Sequence, residues 1–349
     1  MAGVLQTVKP YMYMVLLQVG FSVMFVISAA TLNHGMNHYV LVVYRNLSGF
    51  LTVAPFALWF ERKKRPKITR LVFLKILALA ILEPVIDQNF YYMGTKLTNA
   101  GLAAALSNLL PGVTFVMALL LRMEKLNITQ RHGQAKVIGA AVTVAGALLM
   151  ILYKGPVVEF AWSKVRGHHL AGAASAGGGS GNWLKGTAML LVGCVSWASF
   201  YICQSNVLES YSAELSLTAL ICAIGMSLGA VVALVMERGN AQPWAIGWDI
   251  RLLTAVYSGI VCSGVAYYVQ GKVTKERGPV FVTAFNPLCM IITTLTGSIV
   301  LGEEITLGRV IGAVIIVIGL YCLIWGKSKD HLVSPPSNGT NKGFAEPNV

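Results

Sequence analysis

Charged side chains are scarce in this sequence. Asp, Glu, Lys and Arg make up 12% of its 349 residues, whereas hydrophobic side chains make up 56%. A water-soluble domain typically carries about 25% charged residues. The shortage argues against a soluble enzyme or binding domain and predicts several membrane-spanning helices. The 27 basic residues outnumber the 14 acidic ones. They lie mainly in short connections between apolar runs, so they do not indicate nucleic-acid binding.

Sequence patterns for metal binding, catalysis and nucleotide binding are missing as well. All six cysteines lie inside apolar runs, and no two of them have the spacing of a metal-binding pair. No Ser-His-Asp set and no glycine-rich phosphate loop stands out in the sequence. We therefore predict that the protein is not an enzyme and uses no metal or other cofactor.

Ten apolar runs are present, and each has the roughly 18–24 residues that one crossing of a bilayer requires. Because a backbone in lipid has no water to satisfy its polar groups, each run is predicted to be a helix. Basic residues are about twice as frequent on one side of this arrangement, which predicts that both termini lie in the cytosol. The predicted spans are Tyr11–Ala30, Tyr39–Phe60, Leu71–Tyr92, Thr98–Leu121, Ala135–Tyr153, Leu184–Asn206, Ala213–Met236, Leu252–Val273, Pro279–Leu301 and Leu307–Trp325.

The two halves of the chain resemble each other. Tyr91–Tyr92 matches Tyr267–Tyr268, and Pro111 matches Pro287 at the same separation along the chain, which we call the repeat offset. Each half contains an odd number of spans, so the halves must cross the membrane in opposite orientations. Inverted repeats of this kind build alternating-access transporters, with the substrate site near the midplane between the repeats. We therefore predict an all-α membrane protein of ten transmembrane helices in two inverted five-helix repeats.

This organisation divides the chain into four parts. Residues 1–154 are the first repeat and residues 184–327 are the second. The segment 155–183 between them is rich in Gly, Ala and Ser and is predicted to be a flexible connecting loop. Residues 328–349 are polar, have no apolar period and are predicted to be a disordered cytosolic tail.

Three charged residues occur at membrane depth: Arg45 in the second span, and Glu83 and Asp87 in the third. On insertion scales an ionised acid near a helix centre costs about 2.5–3.5 kcal/mol, so each acid requires a partner, water or a proton. Arg45 and Asp87 lie at similar depths and are expected to pair; the alternatives are a purely structural pair or an Arg45 directed to the surface. Glu83, buried without a cation, would suit a proton carrier. The alternative is a carboxylic acid hydrogen-bonded to a neighbouring helix.

Prolines interrupt three of the predicted helices. Pro84, Pro111 and Pro287 each remove one backbone hydrogen bond and free the carbonyl group four residues earlier. Many prolines in membrane helices only kink the chain, but Asn108 and Asn286 lie beside two of these breaks at matching places in the repeats. Because transporters bind ligands at broken helices between repeats, we expect both asparagines to line the substrate site.

Polar and aromatic side chains elsewhere in the spans extend this predicted site. Trp197, Tyr201 and Gln204 fall near one face of the sixth span, where they either contact a solute or only pack. Trp and Tyr are less expected at mid-membrane than at the interface. The full set predicted to bind substrate is Asn108, Asn286, Gln88, Trp197, Tyr201, Gln204, Arg45, Tyr267 and Gln270.

Several short motifs, taken in order, resemble those of a known family. They are Y-R-N (Tyr44–Asn46), D-Q-N-F-Y-Y (Asp87–Tyr92), L-P-G-V-T-F (Leu110–Phe115), R-M-E-K (Arg122–Lys125), Y-K-G-P (Tyr153–Pro156), G-P-V-F-V (Gly278–Val282), P-L (Pro287–Leu288) and L-G-E-E (Leu301–Glu304). Over roughly residues 10–327 the chain resembles the plant nodulin-21/WAT1-related (UMAMIT) transporters, which are drug/metabolite transporters with two EamA-type repeats.

The resemblance implies ten helices around a central solute cavity. It also implies a facilitator or exporter of amino acids in the plasma membrane, because the E-P-x-x-D-Q-N form of the third span is similar to the amino-acid-moving branch. The alternatives are a carrier of auxin or other organic anions in the vacuolar membrane and, from a different class, a membrane scaffold or receptor without transport. The expected partners are the solute and the lipid bilayer, with no nucleic acid; proton linkage and a homo-oligomer stay open.

Overall fold

The computed structural model of the protein describes residues 2–33, 35–63, 65–98, 103, 106–123, 129–153, 155–156, 180–238, 242–301 and 306–333. Within these ranges the chain folds into helices, and no β-strand occurs among them. The predicted all-α class is therefore confirmed.

In the described ranges, ten helical segments correspond to the ten predicted spans, and a short 3-10 helix, Gln242–Trp244, precedes the eighth of them. Two of them, α3 and α8, contain a π-helical section between two α-helical sections, and α9 is interrupted once. The segments are α1 (Ala2–Asn33), α2 (His38–Phe60), α3 (Arg70–Ala80, Ile81–Asp87 and Gln88–Leu97), α4 (Leu110–Leu120), α5 (Arg131–Leu152), α6 (Ser180–Ser210), α7 (Glu214–Met236), α8 (Ile250–Tyr257, Ser258–Val265 and Ala266–Arg277), α9 (Pro279–Ala284 and Asn286–Leu301) and α10 (Leu307–Val333).

Six helices in the described part of the chain are long and apolar enough to cross a membrane, judged by length and composition alone. Two further apolar helices, Leu110–Leu120 and Val310–Gly326, are shorter. The six spans are Val8–Ser28, His38–Phe60, Trp183–Ser210, Glu214–Met236, Ile250–Arg277 and Pro279–Thr296.

Short polar side chains cap the first turns of α2, α3 and α8; at α8, Asp249 Oδ1 accepts a hydrogen bond from the N–H group of Arg251 at 2.9 Å. Asn37 Oδ1 accepts hydrogen bonds from the backbone N–H groups of Tyr39 and Val40 at the start of α2, at 2.9 and 3.4 Å. Thr69 Oγ1 accepts from the N–H group of Val72 at the start of α3, at 3.3 Å. These bonds satisfy N–H groups that have no carbonyl partner inside the helix, so they fix where each helix begins.

The two repeats contact each other along matching helices. α2 packs against α7 and α5 against α10, and in each pair the helices hold the same place in the two repeats. α1 contacts α8 and α9, while α6 contacts α3 and α4. Exchanging the repeats therefore leaves the contact pattern unchanged, which is the symmetry that two related halves require.

Both repeats contain a π-helical section at the same place. The section Ile81–Asp87 lies in α3 and Ser258–Val265 lies in α8, and the two overlap under the repeat offset. A π-helix joins each N–H group to the carbonyl five residues earlier and often marks a functional site. Pro84 predicted an interruption in α3, and it lies inside the first section, but the sequence did not indicate the π-helical form of either section or the presence of the second one.

A glycine from the neighbouring helix packs against each π-helical section. A Cβ atom added at Gly225 of α7 would lie 2.7 Å from Cβ of Pro84. A Cβ atom added at Gly49 of α2 would lie 3.0 Å from the carbonyl oxygen of Gly259. Distances this short leave no room for a side chain, so these helices approach each other through their backbones.

Several predictions about the connections fall outside the described residues. The central part of the connecting loop, 157–179, is among them, as is the tail from residue 334. α10 continues to Val333, so residues 328–333, which we assigned to a disordered tail, extend the last helix instead. A helix can continue beyond the bilayer because its backbone groups stay paired inside it.

Candidate substrate site

Glu83 lies at the centre of a buried polar cluster. Its carboxylate pairs with Arg45, with 3.7 Å between Glu83 Oε1 and Arg45 Nη2. Arg45 is 6% exposed and Glu83 is 4% exposed, so the pair is shielded from water. Taking two charges out of water is costly, and a pair of this kind is stable only when further hydrogen bonds support it.

Two more side chains bind the Glu83 carboxylate. The hydroxyl group of Tyr267 donates a hydrogen bond to Glu83 Oε2. Gln88 Nε2 donates to both carboxylate oxygens, at 3.0 and 3.1 Å, and lies 3.4 Å from the Tyr267 hydroxyl. Tyr267 belongs to the second repeat, whereas Arg45, Glu83 and Gln88 belong to the first. The cluster therefore joins the two repeats, as the inverted-repeat prediction requires.

Arg45 also connects the two π-helical sections. Its Nε atom donates a hydrogen bond to Ser263 Oγ at 3.0 Å, and Ser263 is fully buried in the section Ser258–Val265. Its Nη2 atom meanwhile lies next to Glu83 in the section Ile81–Asp87. One guanidinium group thus bridges the two symmetric backbone features, using donors in its fixed fork geometry.

The predicted ion pair between Arg45 and Asp87 is wrong, since the ion pair of Arg45 is with Glu83. The premise that Glu83 is buried without a cation is wrong for the same reason. Asp87 instead lies against α6, where its Oδ1 atom is 3.2 Å from the position of a Cβ atom on Gly193. The prediction assumed α-helical geometry, whereas the π-helical section changes the rotation between Glu83 and Asp87.

Helix α6 forms an aromatic wall beside the cluster. The Trp197 and Tyr201 rings lie 6.1 Å apart, and the Phe200 ring lies 5.5 Å from that of Tyr267. Gln204 Nε2 donates a hydrogen bond to the carbonyl oxygen of Tyr267 at 3.3 Å. Three predicted residues of α6 thus lie together near the cluster, and Phe200 is a neighbour that we did not predict.

Two buried acceptors of the cluster have no hydrogen-bond partner among the described residues: Gln88 Oε1 and Gln204 Oε1. Gln88 is 4% exposed and Gln204 is 1% exposed. Both amides flank Tyr267, one beside its hydroxyl group and the other beside its carbonyl group. Buried polar atoms are almost always paired, so each of these two orphan acceptors suggests a position for a hydrogen-bond donor.

The predicted asparagines occupy a second junction between the repeats. Asn286 Nδ2 donates a hydrogen bond at 3.1 Å to the carbonyl oxygen of Ser107, which lies just before α4. Pro111 occupies the first turn of α4, so the predicted break falls at the start of this helix. Asn108 Nδ2 lies 2.6 Å from Sδ of Met290 in α9. The structure therefore divides the predicted residues between a central cluster and an α4–α9 junction.

A serine satisfies a carbonyl group near Pro84. Ser196 Oγ of α6 donates a hydrogen bond at 2.8 Å to the carbonyl oxygen of Leu82, which lies within the π-helical section. We did not predict Ser196 or Ser263. The internal repeat could have pointed to Ser263, because the repeat offset places it at the position equivalent to Asp87.

Two related sets of five helices that meet around a buried polar cluster define a multi-span membrane transporter. The model of the EamA-like transporter family matches residues 8–152 and 184–325. The chain belongs to this family, which confirms the predicted drug/metabolite transporter superfamily.

Two relatives match the sequence of this chain over nearly its whole length. The WAT1-related protein At4g08290 of Arabidopsis thaliana is 50% identical over 333 residues, which cover 95% of this chain and 86% of the relative. The WAT1-related protein At2g37460 of the same plant is 51% identical over 328 residues, which cover 94% and 85%. A solved crystal structure with 18% identity has a TM-score of 0.64 and covers 88% of this chain and 97% of its own, which is a likeness of fold.

Proposed function

We propose that this protein transports amino acids by alternating access. The observation that carries the proposal is the central cluster, which offers a guanidinium group, a carboxylate and two orphan amide acceptors between the two repeats. A zwitterion presents a carboxylate, an ammonium group and a side chain. The cluster offers a complementary group for each charged end, and transporters of inverted-repeat type bind solutes at this place.

Charge balance favours a zwitterion over an organic anion. Arg45 supplies one positive charge, while Glu83 and Asp87 supply up to two negative charges. An organic anion such as indole-acetate would add another negative charge to a buried site, where like charges repel strongly. A zwitterion adds no net charge.

Each part of the solute has a proposed contact. The Arg45 guanidinium group binds the carboxylate, since it can form two parallel hydrogen bonds to it. Gln88 Oε1 and Gln204 Oε1 accept from the ammonium group. Trp197 and Tyr201 face the solute side chain, and Gln270, within hydrogen-bonding range of Tyr201, supports that wall.

The second junction is proposed to move with the transport cycle. Asn286 ties α9 to the carbonyl group of Ser107 just before α4, so a change at this bond would alter how the repeats meet. Asn108 lies at the same junction, and Pro287 keeps the equivalent break in the second repeat. Broken helices of this kind are the flexible parts of transporters.

Asp87 is the group best placed for proton linkage. No hydrogen bond or ion pair holds its carboxylate within the described part of the chain, whereas Arg45, Tyr267 and Gln88 all hold Glu83. An ionised carboxylate at membrane depth is costly without a partner. Proton binding and release at Asp87 would therefore accompany the opening of the site.

The proposed location is the plasma membrane, with both termini in the cytosol. The excess of basic residues on one side of the spans supports this orientation. The resemblance of the motifs to the amino-acid-moving branch supports the choice of membrane.

The test is uptake of labelled glutamine and labelled indole-acetate into proteoliposomes that contain the full chain. We expect glutamine to be transported and indole-acetate to be excluded. An imposed pH gradient should stimulate glutamine uptake in the unmodified protein but not in an Asp87→Asn variant. Transport of indole-acetate alone would replace the proposal with an organic-anion carrier, and transport of neither solute would favour a scaffold or receptor.

A pair of matched variants tests the site itself. Tyr267→Phe removes the hydrogen bond to Glu83 and should reduce glutamine uptake about tenfold, the effect of losing a bond to a charged group. Tyr91→Phe is the control, because Tyr91 is the equivalent residue of the first repeat and packs against Phe25 at 6.0 Å between ring centroids. Equal effects of the two changes would remove Tyr267 from the site.

A further inference from the structure

Two glutamates hold equivalent places in the two repeats. Glu61 ends α2 and Glu237 ends α7, and the repeat offset carries one position onto the other. α2 and α7 are themselves equivalent helices that pack side by side. Neither glutamate belongs to the central cluster, so their contacts need a separate explanation.

Glu61 binds the beginning of α7. Its Oε1 atom accepts a hydrogen bond from the backbone N–H group of Leu215 at 3.0 Å, and its Oε2 atom accepts from that of Ser216 at 2.7 Å. A carboxylate at a helix N-terminus is stabilised by the free N–H groups and by the helix dipole. This contact, which we call the Glu61 latch, therefore ties the end of α2 to the start of α7.

Glu237 makes the corresponding contact with the beginning of α2. Its Oε1 atom accepts a hydrogen bond from Asn37 Nδ2 at 2.5 Å. Asn37 Oδ1 in turn accepts from the backbone N–H group of Tyr39 at 2.9 Å. This second contact, the Glu237 latch, ties the end of α7 to the start of α2 through one intervening side chain.

The two latches lie at opposite ends of the α2–α7 pair. Each helix has 23 residues, and a helix rises about 1.5 Å per residue, so the latches are about 35 Å apart. That distance is close to the thickness of a bilayer with part of its headgroup region. Breaking one latch would separate the helices at one membrane face and leave the other face joined.

Glu61 lines a cleft of about 620 Å³. Lys275 and Glu214 form an ion pair at 3.5 Å within the same cleft wall. The residues that line the cleft are Phe56, Phe60, Glu61, Ser212, Ala213, Glu214, Leu215, Tyr268 and Lys275.

We infer that Glu61 and Glu237 are the two gate residues of the transport cycle, each holding one face of the protein closed. The inference rests on the proposed alternating-access function and adds to it the groups that close each face. Opening toward one side breaks the Glu61 latch while the Glu237 latch stays closed, and opening toward the other side does the reverse. The repeat symmetry explains why one residue type serves at both faces.

The test measures access at each face without measuring transport. Ala213→Cys places a reporter thiol in the cleft beside the Glu61 latch, where the native residue is 4% exposed. Met36→Cys places one next to Asn37, where the native residue is 6% exposed. The rate of reaction with a maleimide is measured on the purified full chain in detergent. The parent chain, with its six native cysteines, provides the blank.

The two gate variants should have opposite effects. Glu61→Gln should speed labelling at position 213 about fivefold, the equivalent of about 1 kcal/mol for a lost cap, and leave position 36 unchanged. Glu237→Ala, which removes the acceptor, should speed labelling at position 36 and leave position 213 unchanged. Asn37→Ala should also speed labelling at position 36, because it removes the donor of that latch.

The matched control is Glu209→Gln. Glu209 is an exposed carboxylate near the end of α6, and it makes no hydrogen bond or ion pair within the described residues. It should change neither reporter. A gate variant that speeds both reporters equally, or neither, would overturn the inference. The expected labelling pattern in a protein that transports no solute would support the latches and contradict the proposed function.

Discussion

The two π-helical sections share a backbone shape but differ in their side chains. Ile81–Asp87 carries two carboxylates and a proline, whereas Ser258–Val265 consists of small and apolar residues with no charge. Glu83 in the first section binds Arg45, and Ser263 in the second receives a hydrogen bond from the same guanidinium group. The comparison shows that the two repeats share a backbone conformation, whereas the charged residues of the site lie only in the first repeat.

The largest effect is expected from removing the charge of Glu83 in the section Ile81–Asp87. Glu83→Gln removes the counter-charge of Arg45 and leaves a buried guanidinium group unpaired. Loss of one partner of a buried pair typically costs about 3–5 kcal/mol. We expect a strong fall in the thermal unfolding temperature of the detergent-solubilised protein, together with loss of glutamine transport.

Asp87→Asn is the control for this change, because it removes a carboxylate from the same section without disturbing the Arg45–Glu83 pair. Its effect on unfolding should be clearly smaller. Equal destabilisation by both changes would show that the net charge of the section matters rather than the particular pair.

Part of this comparison could be predicted from sequence. Apolar run lengths located the spans, because a helix needs a fixed number of residues to cross a bilayer. The repeat offset paired the two halves of the chain. Depth in the membrane selected Arg45 and Glu83, which the structure gathers in one cluster with the predicted residues Gln88 and Tyr267.

Other parts could not be predicted from local patterns. Pro84 indicated an interruption in the third span, but a proline does not specify that the interruption is a π-helical section, and no proline lies in the section Ser258–Val265. The partner of Arg45 depends on that geometry, and the predicted choice of Asp87 was therefore wrong. Asn108 and Asn286 were correctly predicted to lie beside helix breaks. Their positions along the chain do not reveal that the two breaks contact each other rather than Glu83.

The packing of the two π-helical sections can be tested separately from their charged and polar side chains. Gly225→Leu would press on Pro84 in the first section, and Gly49→Leu would press on the backbone of Gly259 in the second. Inserting a side chain into a filled space typically costs about 1–3 kcal/mol. If the two sections are equivalent in packing, both variants should lower the unfolding temperature by similar amounts.

Gly247→Leu is the matched control, because a Cβ atom at Gly247 would meet no atom within 4 Å. It should leave the unfolding temperature unchanged. A large fall in the unfolding temperature at only one of the two glycines would contradict the equivalent packing of the two sections.

The smallest effect is expected from a change in the uncharged section, Ser258–Val265. Ser263→Ala removes the acceptor of Arg45 Nε but leaves the guanidinium group paired with Glu83, so the cost should be about 1 kcal/mol, the value of one hydrogen bond. Ser258→Ala in the same section is the control, since Ser258 Oγ donates at 3.3 Å to the carbonyl oxygen of Ala255 in its own helix. Because Ser263 positions Arg45, its loss should also raise the glutamine concentration for half-maximal transport, and Ser258→Ala should not. An unchanged half-saturation value in Ser263→Ala would mean that Glu83 alone fixes Arg45, and the second section would then contribute shape without chemistry.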